Sequence, residues 1–216
     1  MSLAQAYGVA LVGGDTTSGP LSVSLTALGV IEPGRQLLRS GAHPGDLLVV
    51  SGTLGGAARI LDLLRDDVAV SERPPLDRQL LDRPRPRVRL GQALVGHASA
   101  CIDISDGLLA DLGHLSEASG CAARLATDAL PAPAVLAGLG DEQRWSYQLA
   151  GGDDYELLFT LPGSYAALIK TWSNDLDIRL SVIGNIEAGD GVCCISPDGT
   201  PFYPRKTGFD HFGNEV

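Results

Sequence analysis

Apolar and polar positions change period several times along the chain, and each change predicts an element. Ile102 and Ile104 alternate with Cys101, Asp103 and Ser105, which predicts a short strand that buries the isoleucines and turns Asp103 and Ser105 to the opposite face. From Leu108 the period lengthens to Leu108, Leu112 and Leu115, with Leu109 alongside. That is an amphipathic helix over 108–118, with Ser105 as its expected N-cap. Leu21 to Val30 alternates apolar with small polar residues and reads as a strand with one wet face, and Val9 to Val12 reads as another. Leu47 to Val50 is a short buried strand, turned by Ser51-Gly52-Thr53-Leu54-Gly55-Gly56 into a helix carrying Leu54, Ala57, Leu61 and Leu64.

Further along, helices are expected over 88–95 and 164–172 and strands over 121–126, 178–183 and 191–196. Leu130-Pro131-Ala132-Pro133 turns into another helix, and Pro197-Asp198-Gly199 is a hairpin-type turn. A strand follows Asp154, with Tyr155, Leu157 and Phe159 on one face and Glu156 and Leu158 on the other. The polar stretch 66–83 reads as a mobile connection, and Arg83-Pro84-Arg85-Pro86-Arg87-Val88-Arg89 as an extended lead-in to the next helix. Strands and helices thus mix without a repeat and without an evident linker, which indicates an α/β or α+β layer fold.

Candidate chemistry gathers where the elements change. Asp103 and Asp106 stand at the end of a strand, beside the N–H groups that open a helix; such a place favours anions, and paired aspartates favour a hard cation such as Mg²⁺. A plain structural role, ending a strand and complementing a helix dipole, explains the pair equally well. Gly13-Gly14-Asp15-Thr16-Thr17 offers a close backbone approach, a carboxylate and two hydroxyls, and reads also as a simple turn. Arg39 is a surface arginine or a phosphate clamp. The glycine turn 51–56 could cradle phosphate, although close helix packing explains it better. Gly151-Gly152-Asp153-Asp154-Tyr155-Glu156 places three acids before a buried strand, which points to a polar site. The chain ends in an aromatic cluster at Phe209 and Phe212.

Charge and composition narrow the choices. A formal net charge of −10 argues against a nucleic-acid partner and suits a protein that recruits divalent metal. Apolar runs are too short for a membrane span, no signal segment opens the chain, and a cytoplasmic setting is expected. The four cysteines lack C-x-x-C spacing and the histidines lack H-E-x-x-H spacing, which gives zinc chemistry no support. Met1-Ser2-Leu3 reads as an added leader, with natural sequence expected before Ala4.

Taken together, the segments 13–17, 103–108, 151–157 and 208–212 resemble the thiamine-monophosphate kinase family, of the ATP-binding superfamily that includes aminoimidazole ribonucleotide synthetase and selenophosphate synthetase. The resemblance implies a C-terminal domain of the aminoimidazole ribonucleotide synthetase-like fold over 34–216, a mixed sheet with packed helices. Residues 4–33 would be remnant strands of an N-terminal ATP-binding domain. It implies transfer of the ATP γ-phosphate to thiamine monophosphate, giving thiamine diphosphate, with Mg²⁺. Asp15, Asp103 and Asp106 match metal ligands, Gly14, Arg39 and Ser105 match positions contacting ATP, and Glu156 and Phe209 match positions holding the thiamine substrate. No residue is assigned acid–base or nucleophilic work, because the acceptor is an already ionised phosphate. The family's homodimer is implied for the parent enzyme, and this chain alone is expected to be weak or inactive. The alternatives are a non-catalytic thiamine-phosphate or nucleotide-binding fragment and another ATP-dependent enzyme of the superfamily.

Overall fold

The computed structural model describes residues 2–65, 78–204 and 208. The chain divides into two compact units, Met1–Gln36 and Leu37–Val216. Most of the polar connection at 66–83, together with Phe209 and the rest of the tail motif after Gly208, lies outside the described residues.

The first unit holds one short helix, α1 (Ser2–Ala6). The strands expected at Val9–Val12 and Leu21–Val30 are not formed: no residue from 7 to 36 is in a ladder, and Leu21, Leu25 and Val30 stand almost fully exposed. Alternation specifies which face of a strand is apolar. A strand also needs a neighbour for its N–H and C=O groups and a surface to cover, and the described residues of this unit provide neither.

The second unit is built on one mixed sheet of seven strands: β1 (Leu47–Ser51), β2 (Ala100–Asp103), β3 (Ala122–Ala126), β4 (Leu157–Leu161), β5 (Leu180–Glu187), β6 (Gly191–Ile195) and β7 (Pro201–Phe202). Their spatial order is β2-β4-β1-β5-β3-β6-β7, antiparallel throughout except for the parallel pair β3 and β6. Central strands buried on both faces read as continuous apolar runs, and Leu47-Leu48-Val49-Val50 is such a run. Leu48 and Val50 join one apolar cluster while Val49 joins the other.

Helices cover both faces. On one, α5 (Leu108–Ser119) and α6 (Asp141–Ala150) pack Leu108, Leu112, Leu115, Trp145 and Leu149 against Ile102, Leu158 and Ile183. On the other, α4 (Val88–Leu94) and α7 (Ala166–Leu176) bring Leu90, Leu94 and Trp172 to Val49, Cys101 and Phe159. Among the described residues the remaining α-helices of the unit are α2 (Gly56–Arg65) and the short α3 (Gln79–Asp82). Among the described residues no helix is long and apolar enough to cross a membrane.

Several boundaries differ from the expected ones. In α2 the buried stripe is Ala57, Ile60 and Leu63, leaving the expected Leu61 and Leu64 only partly covered. The strand expected from Ile178 starts at Leu180, because Ile178 closes α7: its N–H donates to Ser173 O (3.1 Å) and its carbonyl accepts from Ser173 Oγ (2.7 Å).

Candidate functional site

Two chain segments meet at the end of the edge strand β2 and the start of its neighbour β4. In the β2–β4 pairing Asp103 faces Leu157, so the loop after β2 lies beside the segment that enters β4. Three main-chain bonds tie them: Asp153 N–H to Ser105 O (2.9 Å), Tyr155 N–H to Ile104 O (2.8 Å) and Ile104 N–H to Glu156 O (2.8 Å). These bonds hold Asp153 and Tyr155 at φ of 66° and 49°, a region that non-glycine residues rarely enter and that persists only when surroundings over-determine it. Gly208 adjoins the same turn, since a Cβ on it would lie 2.7 Å from Ala110 Cβ and 3.1 Å from Asp106 O.

Asp103 is exposed at the end of β2 and Asp106 half-exposed in the turn. Ser105 is not the helix cap; Gly107 holds that position, without a side-chain cap bond. The cause is Asp111, 3% exposed, whose Oδ2 accepts from the N–H groups of Ser105 (2.9 Å) and Asp106 (3.1 Å). Two of the amides expected to await an anion therefore already hold a carboxylate. Burial pushes the Asp111 carboxyl up from its usual range, opposed by those two bonds and assisted by the nearby charges of Asp106 and Asp103. Tyr155 is raised as well, by burial and then by Asp153, to which its hydroxyl donates at 3.2 Å; the charges of Asp103 and Asp106 add to the shift.

Glu156, the residue after Tyr155, is 8% exposed. Arg87 grips both its oxygens, through Nε to Oε2 at 2.6 Å and through Nη2 to Oε1. Ser51 Oγ donates to Oε2 at 2.5 Å while accepting from Leu157 N–H at 2.9 Å. Gly52 makes room for this arrangement: it holds φ +62°, and a Cβ there would overlap the Glu156 carboxylate.

Asp154 fills the position where the glycine turn could have cradled phosphate. Its Oδ2 accepts from Gly55 N–H at 2.7 Å, with the Gly56 and Ala57 amides adding their hydrogen bonds at the start of α2. Burial pushes its carboxyl up to about 7 in spite of these bonds.

Two clefts flank Arg87. One, of about 580 Å³, is lined by Arg39, Asp103, Cys101, Leu157 and Arg87, so Arg39 and Asp103 share its wall. The other, of about 300 Å³, contains Glu156, Asp154, Thr53 and several arginines. Gly14 and Asp15 belong to the first unit, both exposed, with Asp15 Oδ1 accepting from Thr16 N–H at 2.7 Å. Among the described residues no group of three or more His, Cys, Asp or Glu could hold a metal ion by itself. Asp103 and Asp106 nevertheless supply two hard oxygen donors, which fits Mg²⁺ in the mode where one or two carboxylates and substrate phosphates share the ion with water.

A mixed sheet with two motif loops strapped at one end defines the class, and comparison agrees. The profile of the AIR synthase related protein C-terminal domain matches residues 43–195, and the chain belongs to that family. More narrowly, it is similar to thiamine-monophosphate kinases. The enzyme of Salmonella typhimurium is 43% identical over 211 residues, covering 95% of this chain and 64% of that protein. That of Haemophilus influenzae is 41% identical with the same coverage. Among solved structures, thiamine-monophosphate kinase from Stenotrophomonas maltophilia K279a superposes with a TM-score of 0.84 at 42% identity, over 93% of this chain and 65% of that one. AaThiL complexed with AMPPCP and TMP gives 0.63 at 33% identity, over 82% and 54%. The chain thus spans about 64% of the length of these curated relatives.

Sequence reasoning missed Arg87, Asp111, Asp154 as a cap, and Tyr155 beside the aspartates. Arg87 carried a signal in its alternate spacing with Arg83 and Arg85. Asp111 had only its place on the otherwise apolar face of α5.

Proposed function

We propose that the chain carries the C-terminal domain of an ATP-dependent kinase that phosphorylates thiamine monophosphate to thiamine diphosphate. The observation that carries this reading is the strapped pair of loops that holds Asp103 and Asp106, with Asp103 lining a cleft shared with Arg39, in a chain 43% identical to such a kinase over 95% of its length. AMPPCP and TMP in the AaThiL complex support a nucleotide and TMP as the two ligands.

Joining two phosphates is opposed mainly by their mutual repulsion, so positioning and charge neutralisation supply the catalysis. Asp103, Asp106 and Asp15 are the proposed Mg²⁺ ligands; the bound ion would offset phosphate charge. Arg39, the Ser105 hydroxyl and the Gly14 backbone are assigned to ATP. Glu156 is assigned to the thiamine moiety: a carboxylate offers about four acceptor sites, and Arg87 and Ser51 occupy three of them, leaving one for a substrate donor. Phe209 is assigned to stacking on the cationic heterocycle. Residues 4–33 are assigned to an N-terminal ATP-binding domain and 34–216 to the C-terminal one. A homodimer is assigned to the parent enzyme, and the setting is the cytoplasm, where four free cysteines are in keeping with a reducing compartment.

Release of ADP in the presence of ATP, Mg²⁺ and thiamine monophosphate tests the transfer, and calorimetry with thiamine monophosphate tests the binding. Saturable binding that Glu156→Gln weakens at least tenfold is expected. Little or no stimulated ADP release is expected of this chain alone, and absence of saturable thiamine monophosphate binding would overturn the assignment of Glu156.

A further inference from the structure

Ser105 and Asp106 are assigned to the nucleotide and the metal, and both are tied to one buried acid that has no assigned role. Asp111 stands one turn into α5, where its N–H donates to Gly107 O at 3.0 Å. The helix is pinned to the sheet by Leu108, Leu112 and Leu115, all fully buried, so the backbone of Asp111 has a fixed place relative to the core. An aspartate in the first turn of a helix complements the helix dipole from the surface, and charged side chains are almost never fully buried unless paired. Asp111 is 3% exposed and, among the described residues, forms no ion pair. Its carboxylate turns back instead to the N–H groups of Ser105 and Asp106.

Those bonds bear on where two side chains point. Ser105 and Asp106 lie outside any helix or strand, so no ladder fixes their backbone. On one side the turn is held by the segment before β4: Asp153 N–H donates to Ser105 O at 2.9 Å, and a Cβ on Gly152 would come within 2.7 Å of the same oxygen. On the α5 side a single oxygen, Asp111 Oδ2, accepts both amides, at 2.9 and 3.1 Å. Because peptide units are planar, one oxygen bonded to two successive N–H groups orients two successive peptide planes. It thereby sets the direction in which the side chains of Ser105 and Asp106 leave the chain. The nearby charges of Asp103 and Asp106 disfavour a third carboxylate at this place, and what the turn takes from Asp111 is an acceptor oxygen.

We propose that Asp111 is a positioning residue for the shared Mg²⁺ and nucleotide, acting through the backbone of Ser105 and Asp106 by the place of its oxygen and not by its charge; this rests on the kinase reading of those two residues. Calorimetry of Mg²⁺ binding to the full 216-residue chain, with and without ATP, tests it in two variants that separate place from charge. Asp111→Asn keeps an acceptor oxygen in the same place without the charge, and it retains the ATP-dependent gain in Mg²⁺ affinity to within about twofold. Asp111→Glu keeps the charge but carries its oxygens one methylene further, against a turn with no room for them. The gain then falls several-fold, as it does when a partner that orients a metal ligand is lost. Urea midpoints show that each variant is folded, and a purely structural role would lower the midpoint of Asp111→Glu without lowering the gain. Should Asp111→Glu not fold, Asp111→Ala removes the oxygen altogether, with the same loss expected. Equal losses in Asp111→Asn and Asp111→Glu would assign the effect to charge, and an undiminished or larger gain in Asp111→Glu would show that the turn needs no such anchor. Either result overturns the proposal and leaves the kinase reading standing. Absence of any ATP-dependent gain in the parent chain would overturn the metal assignment of Asp103 and Asp106, and the proposal with it.

Discussion

Two carboxylates, one buried and one half-buried, decide the local geometry of this site, and they do so by taking backbone amides that a ligand could otherwise use. Asp111 holds the amides of Ser105 and Asp106, and Asp154 holds that of Gly55 and its neighbours. For Asp154 the consequence is a definite pH dependence. Burial raises its carboxyl from 3.8 to about 7, so the folded protein binds the proton more tightly than the unfolded chain does. A raised folded value contributes stability that is fully present below the unfolded value and is lost as pH rises through the folded one. The urea midpoint of the parent protein should therefore exceed that of Asp154→Asn most at about pH 4, with the gap closing as pH approaches about 7. Taking the difference between the two proteins cancels the titration of groups that do not interact with Asp154. A gap that widened with pH would show that the helix amides, and not burial, set the ionisation of Asp154.

At the scale of elements, the tightest fit is where β1 runs into its glycine turn under Glu156. Gly52→Ala meets both a left-handed φ and the Glu156 carboxylate, whereas Gly138→Ala meets a left-handed φ of 82° with no heavy atom within 4 Å. Backbone strain alone costs about 1–2 kcal/mol, so Gly138→Ala should lose about that much. Gly52→Ala should lose roughly 2–4 kcal/mol, and equal urea-denaturation losses for the two would mean that the Arg87–Glu156–Ser51 cluster yields without cost. Elements whose signal is local were legible in the sequence. The buried runs of β1 and β4, the change of period from Ile104 to Leu108 and the hairpin at Pro197-Asp198-Gly199 all declared themselves. What depended on a distant partner did not. Ser105 looked like a cap because Asp111 folds back onto it only once α5 exists, and Leu21–Val30 looked like a strand because alternation says nothing about whether a neighbour is present. Of the site itself, the aspartates and Glu156 stood out by composition. The Arg87–Glu156 pair joins residues 69 positions apart and left no trace in spacing.

For the whole molecule, the distribution of charge sets what each cleft can recruit. Asp103 and Asp106 lie near Tyr155, and Asp103 lines one cleft with Arg39, while Arg83, Arg85 and Arg179 line the other, with Arg87 bordering both. A metal at the aspartate end would find two carboxylates in the second unit and, among the described residues, no third donor gathered with them. Mg²⁺ gives up its water reluctantly and is commonly shared between one or two carboxylates and substrate phosphates. The ion and the nucleotide should therefore bind together much better than either does alone. Titrating Mg²⁺ into the chain should give weak binding without ATP and an apparent affinity at least tenfold higher with ATP present. That ATP-dependent gain should fall several-fold in Asp106→Ala, because Asp103 is then the one carboxylate of the pair left to share the ion with nucleotide and water. Tight saturable Mg²⁺ binding in the absence of ATP would show instead that the protein closes its own coordination shell, and a gain undiminished in Asp106→Ala would place the ion elsewhere.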